Sequence, residues 1–412
     1  MILHSDCNCF YASVEMCENP ALRGKKVAVC GSEDDRHGIV LTASYPAKRC
    51  GVRTAMSNRE ALERCPDLIC VPPRYDLYLQ YSGDVRAIYR RYTDRIEPYG
   101  MDENWLEIPG ENDLEGKGAR LAEEIRRRVR EEIGITVSVG VSFTKVFAKL
   151  GSDLHKPDGQ AVITPENFRE TVWPLPAEDL LWVGRATRRR LALRGIRTIG
   201  EVANTPPERL RQWLGVNGLL LWRYASGLDD SPVAADGDRE PVLSVGHGTT
   251  CVRDLTTEKE VWLVLYELAQ DVSHRLRRAG LLATAVQVSV RDNALSWVQY
   301  QAPLPRPTRS AWELSGAGIA LFGARYGWNL PVRALTIRGI RLIPAGGPEQ
   351  TDLWGGEARC ARQRSLDDAV DDLRGRYGAG AVRAASLMNE LYMATDRCEI
   401  VPLPGWMSRG KK

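Results

Sequence analysis

The sequence predicts an α/β protein of several domains, and three observations carry that reading. Strand-like and helix-like stretches alternate from the first residues to about residue 165. Beyond Pro174 and Pro176 the pattern changes to short, arginine-rich helical stretches. An acidic, proline-containing linker at 229–241 then leads into a further set of strands and helices. With 412 residues the chain has room for roughly two to four domains of ordinary size.

Taken in order, residues 2–4 are a short apolar strand ending at Asp6, and 10–18 are a helix that stops at Asn19-Pro20. Residues 26–30 are a strand closed by Gly31, and 38–43 are β-branched and apolar; after Ser44-Tyr45-Pro46, residues 47–51 read as a turn. A 3.6-residue period predicts a helix over 75–92. Residues 95–108 alternate as strands do around Gly100-Met101-Asp102-Glu103, which places the Asp-Glu pair at or near a hairpin tip. A long amphipathic helix over 114–133, a strand over 136–141 and a helix over 145–154 complete this part.

Residues 177–228 are mostly short helices carrying Arg185, Arg188, Arg189, Arg190, Arg194 and Arg197. Within them Gly195-Ile196-Arg197-Thr198-Ile199-Gly200 has the look of a helix-hairpin-helix junction, where glycines let backbone amides approach a phosphate. Past the linker, an amphipathic helix over 261–279, a strand through Val286, Val288 and Val290, a strand over 297–304, a helix over 310–326 and a strand over 332–343 form a β/α sandwich. The tail from 344 mixes glycine-rich turns with one charged helix near 365–377.

Composition narrows the class. Met1-Ile2-Leu3-His4 leads straight to Asp6 without a signal-like segment, and no apolar run approaches the ~18 residues of a membrane span, so no membrane partner and a cytoplasmic address are expected. The ten cysteines include no C-x-x-C pair and stand apart from the five histidines. They read as reduced, mostly buried small residues, with no disulfide frame or zinc site. The net charge of +3 says little by itself. Local clustering says more: besides the arginines of 185–197, basic residues exceed acids by about five between 241 and 345, and both stretches are candidate nucleic-acid surfaces.

Asp6, Asp102 and Glu103 are the candidate catalytic carboxylates. Phosphoryl transfer to a 3′-hydroxyl uses two cations roughly 4 Å apart, one activating the attacking oxygen and one steadying the leaving pyrophosphate. An antiparallel sheet can bring a strand end and a hairpin tip together, and an all-oxygen donor set suits Mg²⁺, with Mn²⁺ as substitute. On spacing alone the simpler alternative stands: Asp6 caps a turn and Asp102-Glu103 is a solvated hairpin.

The neighbouring residues decide between them. Asp6-Cys7-Asn8-Cys9-Phe10-Tyr11-Ala12-Ser13-Val14-Glu15 resembles the opening motif of the Y-family DNA polymerases, and Tyr99-Gly100-Met101-Asp102-Glu103 their second metal motif. The resemblance is closest to the bacterial DinB-type enzymes. It continues through Thr42-Ala43-Ser44-Tyr45, Ser138-Val139-Gly140-Val141-Ser142, Lys156-Pro157-Asp158-Gly159, the hairpin region and Arg253-Asp254-Leu255-Thr256, covering about residues 1–345 in order.

What the resemblance implies is a right-hand polymerase with palm (1–10 and 75–165), fingers (11–74) and thumb (166–230). A linker (231–241), a β/α little-finger domain (242–345) and a C-terminal tail (346–412) would follow. Asp6 and Asp102 would be metal ligands, Glu103 the third catalytic carboxylate and metal ligand, and Cys7 would contribute its backbone carbonyl to two Mg²⁺ ions. Tyr11 falls at the steric gate that excludes a ribose 2′-hydroxyl; ordinary aromatic packing against Phe10 is the alternative. Phe10, Thr42, Tyr45, Lys48 and Lys156 match the nucleotide-binding set. Pro46 replaces the usual acid and Lys48 the usual arginine, so phosphate is held by a point charge instead of a bidentate fork. Asn8 replaces a second aspartate that is not a principal metal ligand, and Trp182 stands where the family often has glycine, which predicts a distorted first hairpin.

A polymerase copies any sequence and must grip DNA through its backbone. Arg185 and Arg188 in the hairpin region, and Thr249, Thr250, Arg253 and Arg338 at alternating positions of one sheet face, are the candidate phosphate contacts. Gln350-Thr351-Asp352-Leu353-Trp354 resembles the peptide by which bacterial polymerases bind the sliding clamp, with Gln350, Leu353 and Trp354 as apolar and polar anchors. The expected protein is a monomeric, DNA-templated translesion DNA polymerase. It would act on primer-template DNA and deoxynucleoside triphosphates, without proofreading, error-prone, in DNA damage tolerance and repair. Two other readings are a DNA-binding scaffold without catalysis and a nucleotide cyclase on a palm-like fold; the intact carboxylates disfavour the first, the hairpin and little-finger regions the second.

Overall fold

The computed structural model describes residues 1–31, 38–110, 113–238, 241–347, 356–378 and 380–387, without the side chains of 356–360. The clamp-like peptide at 350–354 therefore lies outside the described residues. The chain divides into two compact units that meet in sequence near residue 240.

The first unit opens with β1 (Ile2–Cys7), α1 (Phe10–Glu18), β2 (Val27–Cys30), β3 (Val40–Ala43), α2 (Tyr45–Arg49), α3 (Asn58–Arg64) and β4 (Ile69–Val71). It continues with α4 (Tyr75–Tyr89), β5 (Ile96–Pro98), β6 (Glu103–Glu107), α5 (Ala119–Arg128), β7 (Val137–Ser142), α6 (Lys145–Leu154) and β8 (Gln160–Ile163). Short helices follow: α7 (Phe168–Thr171), α8 (Arg185–Ala192), α9 (Ile199–Asn204), α10 (Pro207–Leu214) and α11 (Val216–Ala225).

β1 is the middle of a five-stranded sheet ordered β5-β6-β1-β7-β8. It is buried along its length from Leu3 to Cys7 and antiparallel to both neighbours. Val137, Val139 and Val141 of β7, Leu106 of β6 and Ile125 and Val129 below them close one core with Phe10 and Tyr78. A three-stranded sheet, β3-β2-β4, has a separate small core built on Ala28, Cys30, Val40, Ala47, Val52, Ala61 and Cys65. The short helices share a third core around Phe147, Phe168, Leu191, Ile199, Leu210 and Leu221.

Several expectations need correction. Residues 47–51, read as a turn, lie largely in α2: Pro46 occupies the first helical turn, where its missing N–H costs nothing. The helix expected over 114–133 is continuous but opens into wider π-helical turns at Leu114–Gly118 and Val129–Ile133. Trp182 keeps the left-handed backbone a glycine would adopt, at φ 72°. A residue with a Cβ held there carries a local cost of about 1–2 kcal/mol.

The linker is pinned along its first half. Val233 is buried, Ala234 donates its N–H to Glu97 Oε2 (2.9 Å), and Pro232 O accepts from Lys145 Nζ (3.3 Å). Asp236 pairs with Arg90 and donates its N–H to Asp94 O.

The second unit is a four-stranded antiparallel sheet ordered β11-β10-β12-β9, from β9 (Ser244–Leu255), β10 (Leu281–Asp292), β11 (Trp297–Thr308) and β12 (Val332–Pro344). α12 (Glu258–Arg278) and α13 (Ala311–Arg325) cover one face, burying Leu265, Leu268, Val272, Phe322, Val286, Val288 and Ile337. A reciprocal capping box, Thr257 with Glu260, starts α12. The strand β9 escaped the periodicity reading because glycines interrupt its alternation. The tail helix is longer than expected: α14 (Gly356–Tyr377) docks on α12 through Asp371 with Arg277 (2.6 Å) and Arg374 with Gln270 (2.6 Å).

Candidate active site

β1 and β6 pair in the register Asp6↔Glu103, and the Cys7 N–H donates to Asp102 O (3.0 Å). The hairpin between β5 and β6 therefore carries two acids to the end of the strand that holds the third. Gly100 makes this possible: its φ is 96°, and a Cβ there would press against the Asp102 carboxylate at 3.3 Å.

Three carboxylates brought this close alter one another. Burial, opposed in part by Lys156 and reinforced by Glu103, raises Asp6 to about 6. Burial and then the charges of Asp6 and Glu103 raise Asp102 to about 7. Glu103 goes the other way, down to about 2, since hydrogen bonding from His4 and the Lys149 ammonium outweigh its burial. His4 Nε2 stands 3.2 Å from Glu103 Oε2, its Nδ1 is 2.8 Å from Ser152 Oγ, and burial lowers its own pKa to about 4. Burial thus disfavours the charged form of the His4 ring that faces Glu103. Lys149 pairs with Glu103 directly.

Lys156, expected at the triphosphate, reaches Asp6 Oδ2 and Asp153 Oδ1, each at 2.6 Å. Positive charge thus already stands at two of the three acids. Among the described residues no group of three acidic, histidine or cysteine side chains is arranged to hold a metal ion. The donor chemistry nonetheless fits a hard divalent cation: the acids are oxygen donors, and Asp6 and Asp102 resist ionising side by side until positive charge joins them.

Tyr11 lies on α1 beside this cluster, with Asp102 among the charges that act on it. Its ring stacks on Tyr78 at 4.5 Å, meets Tyr75 edge-on at 6.1 Å and Phe10 at 5.6 Å. Behind it, buried Glu15 accepts from the Tyr78 hydroxyl (2.7 Å) and from Arg74. Phe10 is buried in the core. Tyr45 and Lys48 share α2, the ammonium lying 4.9 Å from the ring centroid. Lys156, Asp6 and the Asn8 side chain are among the groups that act on the Tyr45 hydroxyl. Thr42 lies on β3 opposite Val29.

Asn8 is a hub the sequence reading undervalued. Its Oδ1 accepts from Asp158 N (2.8 Å) and Thr136 Oγ1 (3.0 Å), and its Nδ2 donates to Ser138 Oγ (2.9 Å), tying the Lys156-Pro157-Asp158-Gly159 turn to the sheet. His4, Lys149 and Ser152 were also missed. The available signal was the spacing of Lys145 and Lys149, one turn apart on α6.

The expected DNA contacts divide. The 195–200 turn keeps its amides for itself: Arg197 and Thr198 donate to Glu201 Oε2 (2.6 and 2.9 Å), Ile199 to Leu175 O and Gly200 to Trp173 O. Arg185 opens α8, whose N-cap Gly184 provides no side-chain cap, and Arg188 pairs with Glu178. In the second unit Thr249 and Thr250 cannot share one face. Thr249 pairs with buried Leu335 on the helix side, whereas Thr250 pairs with Ala334 on the open side. Arg338 lies on the open face across from Gly246, where a Cβ would come within 2.9 Å of its side chain. Arg253 is paired with Glu260 of the capping box.

A right-hand arrangement with an added sheet-and-helix unit is the fold of the Y-family polymerases: the structure matches a Y-family DNA polymerase chimera of Dbh and Dpo4 with a TM-score of 0.74, at 24% identity, over 83% of this chain and 99% of that one. The impB/mucB/samB family model matches residues 5–153 and the model of its C-terminal domain residues 242–353. DNA polymerase IV of Acetivibrio thermocellus is 42% identical over 95% of this chain and 98% of its own. That of Moorella thermoacetica is 40% identical over 94% and 96%, and DNA polymerase IV 2 of Bacillus subtilis 35% identical over 93% of each. The chain belongs to the Y-family DNA polymerases, in their bacterial DinB-type branch. It is a DNA-directed DNA polymerase of the translesion type, a transferase of DNA repair whose substrates are primer-template DNA and deoxynucleoside triphosphates. None of its described helices is long and apolar enough to cross a membrane.

Proposed function

We propose that this polymerase extends a primer by two-metal nucleotidyl transfer, with Asp6, Asp102, Glu103 and the Cys7 carbonyl holding two Mg²⁺ ions, Mn²⁺ substituting. The observation that carries the reading is the register that sets Asp6 against Glu103 with Asp102 hydrogen-bonded alongside. Bound there, the cations would activate the primer 3′-hydroxyl and offset charge on the leaving pyrophosphate. The protein's own part is placement and charge. Asp6 and Asp102 supply the negative site, Lys149 and His4 keep Glu103 ionised and oriented, and Lys156, Lys48, Tyr45 and Thr42 face the triphosphate. Tyr11, braced by Tyr78 and Glu15, closes the space beneath the sugar.

The palm is 1–10 and 75–165, the fingers 11–74, the thumb 166–230 and the little finger 242–345; a small core confined to 28–68 and a larger one confined to 245–337 support the fingers and little-finger divisions. DNA is gripped at the start of α8 with Arg185 and Arg188, and on the open sheet face at Thr250 and Arg338. Synthesis is error-prone and unproofread, in a cytoplasmic monomer recruited by the sliding clamp through Gln350, Leu353 and Trp354. Glu103→Ala is expected to lower primer extension at least about 10³-fold while leaving DNA affinity intact; retained extension would refute the catalytic assignment.

A further inference from the structure

Outside the catalytic centre, the small core of the β3-β2-β4 sheet holds a pair of thiols with no part in nucleotidyl transfer. Cys50 is the C-cap of α2 and Cys65 the C-cap of α3. Neighbouring segments run side by side here, with Arg64 Nη1 donating to Gly51 O (3.3 Å). The Cys65 thiol lies 3.5 Å from Asp67 Oδ1, and Cys50 packs against the same small core and is among the groups that act on that thiol. Lys26 Nζ bonds the same carboxylate oxygen at 2.9 Å, and Cys50 is among the groups that act on its charge. Two sulfurs, an ammonium and a carboxylate are thus gathered at one spot. Cys50 is half-buried and Cys65 fully buried, and both thiols are free.

We propose that Cys50 and Cys65 are a redox-active dithiol which a peroxide converts into a disulfide, clamping the end of α2, with Tyr45 and Lys48, to the end of α3. Cys50, the more accessible sulfur, attacks one peroxide oxygen. The O–O bond breaks, and the departing hydroxide leaves as water with the Cys50 proton. The Cys65 sulfur then attacks the Cys50 sulfenic acid, the S–O bond breaks, and a second water carries away the Cys65 proton. In sum two thiols and one hydrogen peroxide give one disulfide and two waters, sulfur being oxidised and peroxide oxygen reduced. Lys26 sets positive charge beside the attacking sulfur. Burial first, then Cys50 and Asp67, hold Cys65 up at about 11, so its proton is kept until the sulfenic acid is in place. The two cysteines end neighbouring helices and share one small core, so a bond of about 2.05 Å asks for movement of two helix ends only.

The test is hydrogen peroxide treatment of the full chain, alkylation of remaining thiols, and peptide mass spectrometry. A Cys50–Cys65 cross-linked peptide is expected ahead of oxidation at the other cysteines, disappearing with dithiothreitol. Cys65→Ser should leave Cys50 as a sulfenic acid that dimedone traps, and Lys26→Met should slow cross-linking several-fold. Oxidation of other cysteines with no Cys50–Cys65 peptide, or no trapped sulfenic acid at Cys50 in Cys65→Ser, overturns the pair. The clamp on α2 is read separately: a several-fold, dithiothreitol-reversible change in KM for deoxynucleotides is expected in the wild type and not in Cys65→Ser. An unchanged KM in a fully cross-linked sample overturns that link.

Discussion

At the scale of single residues, Asp6 and Asp102 are the informative pair, because burial and mutual repulsion lift them to about 6 and about 7. Raised carboxylates stabilise the fold when protonated: their contribution is full below the ordinary carboxylate range and is lost as pH rises through those values. A divalent cation replaces what deprotonation removes. Mg²⁺ should therefore raise the melting temperature at about pH 8 and have little effect at about pH 5. Equal shifts at both pH values would show that the cation stabilises the fold elsewhere. Tyr11 lends itself to a second measurement. Its ring is fixed by the Tyr78 stack, itself anchored by Glu15, so Tyr11→Ala opens space that no neighbour can fill. Ribonucleotide incorporation relative to deoxynucleotide should rise by about 10²-fold. An unaltered sugar preference in single-turnover assays would remove Tyr11 from the gate.

At the scale of elements, the informative segment is the stretch of linker at 232–236. Glu97 of β5 accepts from both Lys145 Nζ (2.7 Å) and Ala234 N, and Lys145 also caps Pro232 O and lies 4.6 Å over the Trp105 ring. Hydrogen bonds to charged groups contribute about 1.5–3 kcal/mol each. Glu97→Ala should therefore raise the rate of proteolytic cleavage within 229–241 by roughly tenfold, provided cleavage follows local opening. Unchanged cleavage would mean that Val233 and the Asp236–Arg90 pair hold the segment without Glu97. α6 is the element that joins this anchorage to the chemistry, since Lys145 and Lys149 lie one turn apart and the second pairs with Glu103.

At the scale of the whole molecule, each unit has a core drawn from its own residues, and the tail helix α14 belongs to the second unit through Asp371 and Arg277. The chain beyond β12 is thus tethered on both sides of 348–355, which contains the clamp-like peptide. Deleting 350–354 is expected to abolish clamp-stimulated synthesis and leave clamp-free extension unchanged. Equal stimulation of the deleted and intact proteins would end the assignment.

What the sequence by itself determined is local: hydrophobic period and motif. The helices 10–18 and 145–154 coincide with α1 and α6 because their apolar spacing and their ends, Asn19-Pro20 and Thr144, are encoded within a few residues. The Asp-Glu hairpin tip was legible because residues 95–108 alternate as strands do on both sides of it. Tertiary structure alone decided the rest. Whether Thr249 or Thr250 faces open space depends on which partner residue β12 offers, and no pattern within β9 contains that register. The partners of Glu103, His4 from β1 and Lys149 from α6, come from two distant stretches, and the Asn8 hub joins residues about 130–150 positions apart. Ionisation of Asp6, Asp102 and Glu103 follows from those long-range neighbours and from burial, which only the packed sheet creates.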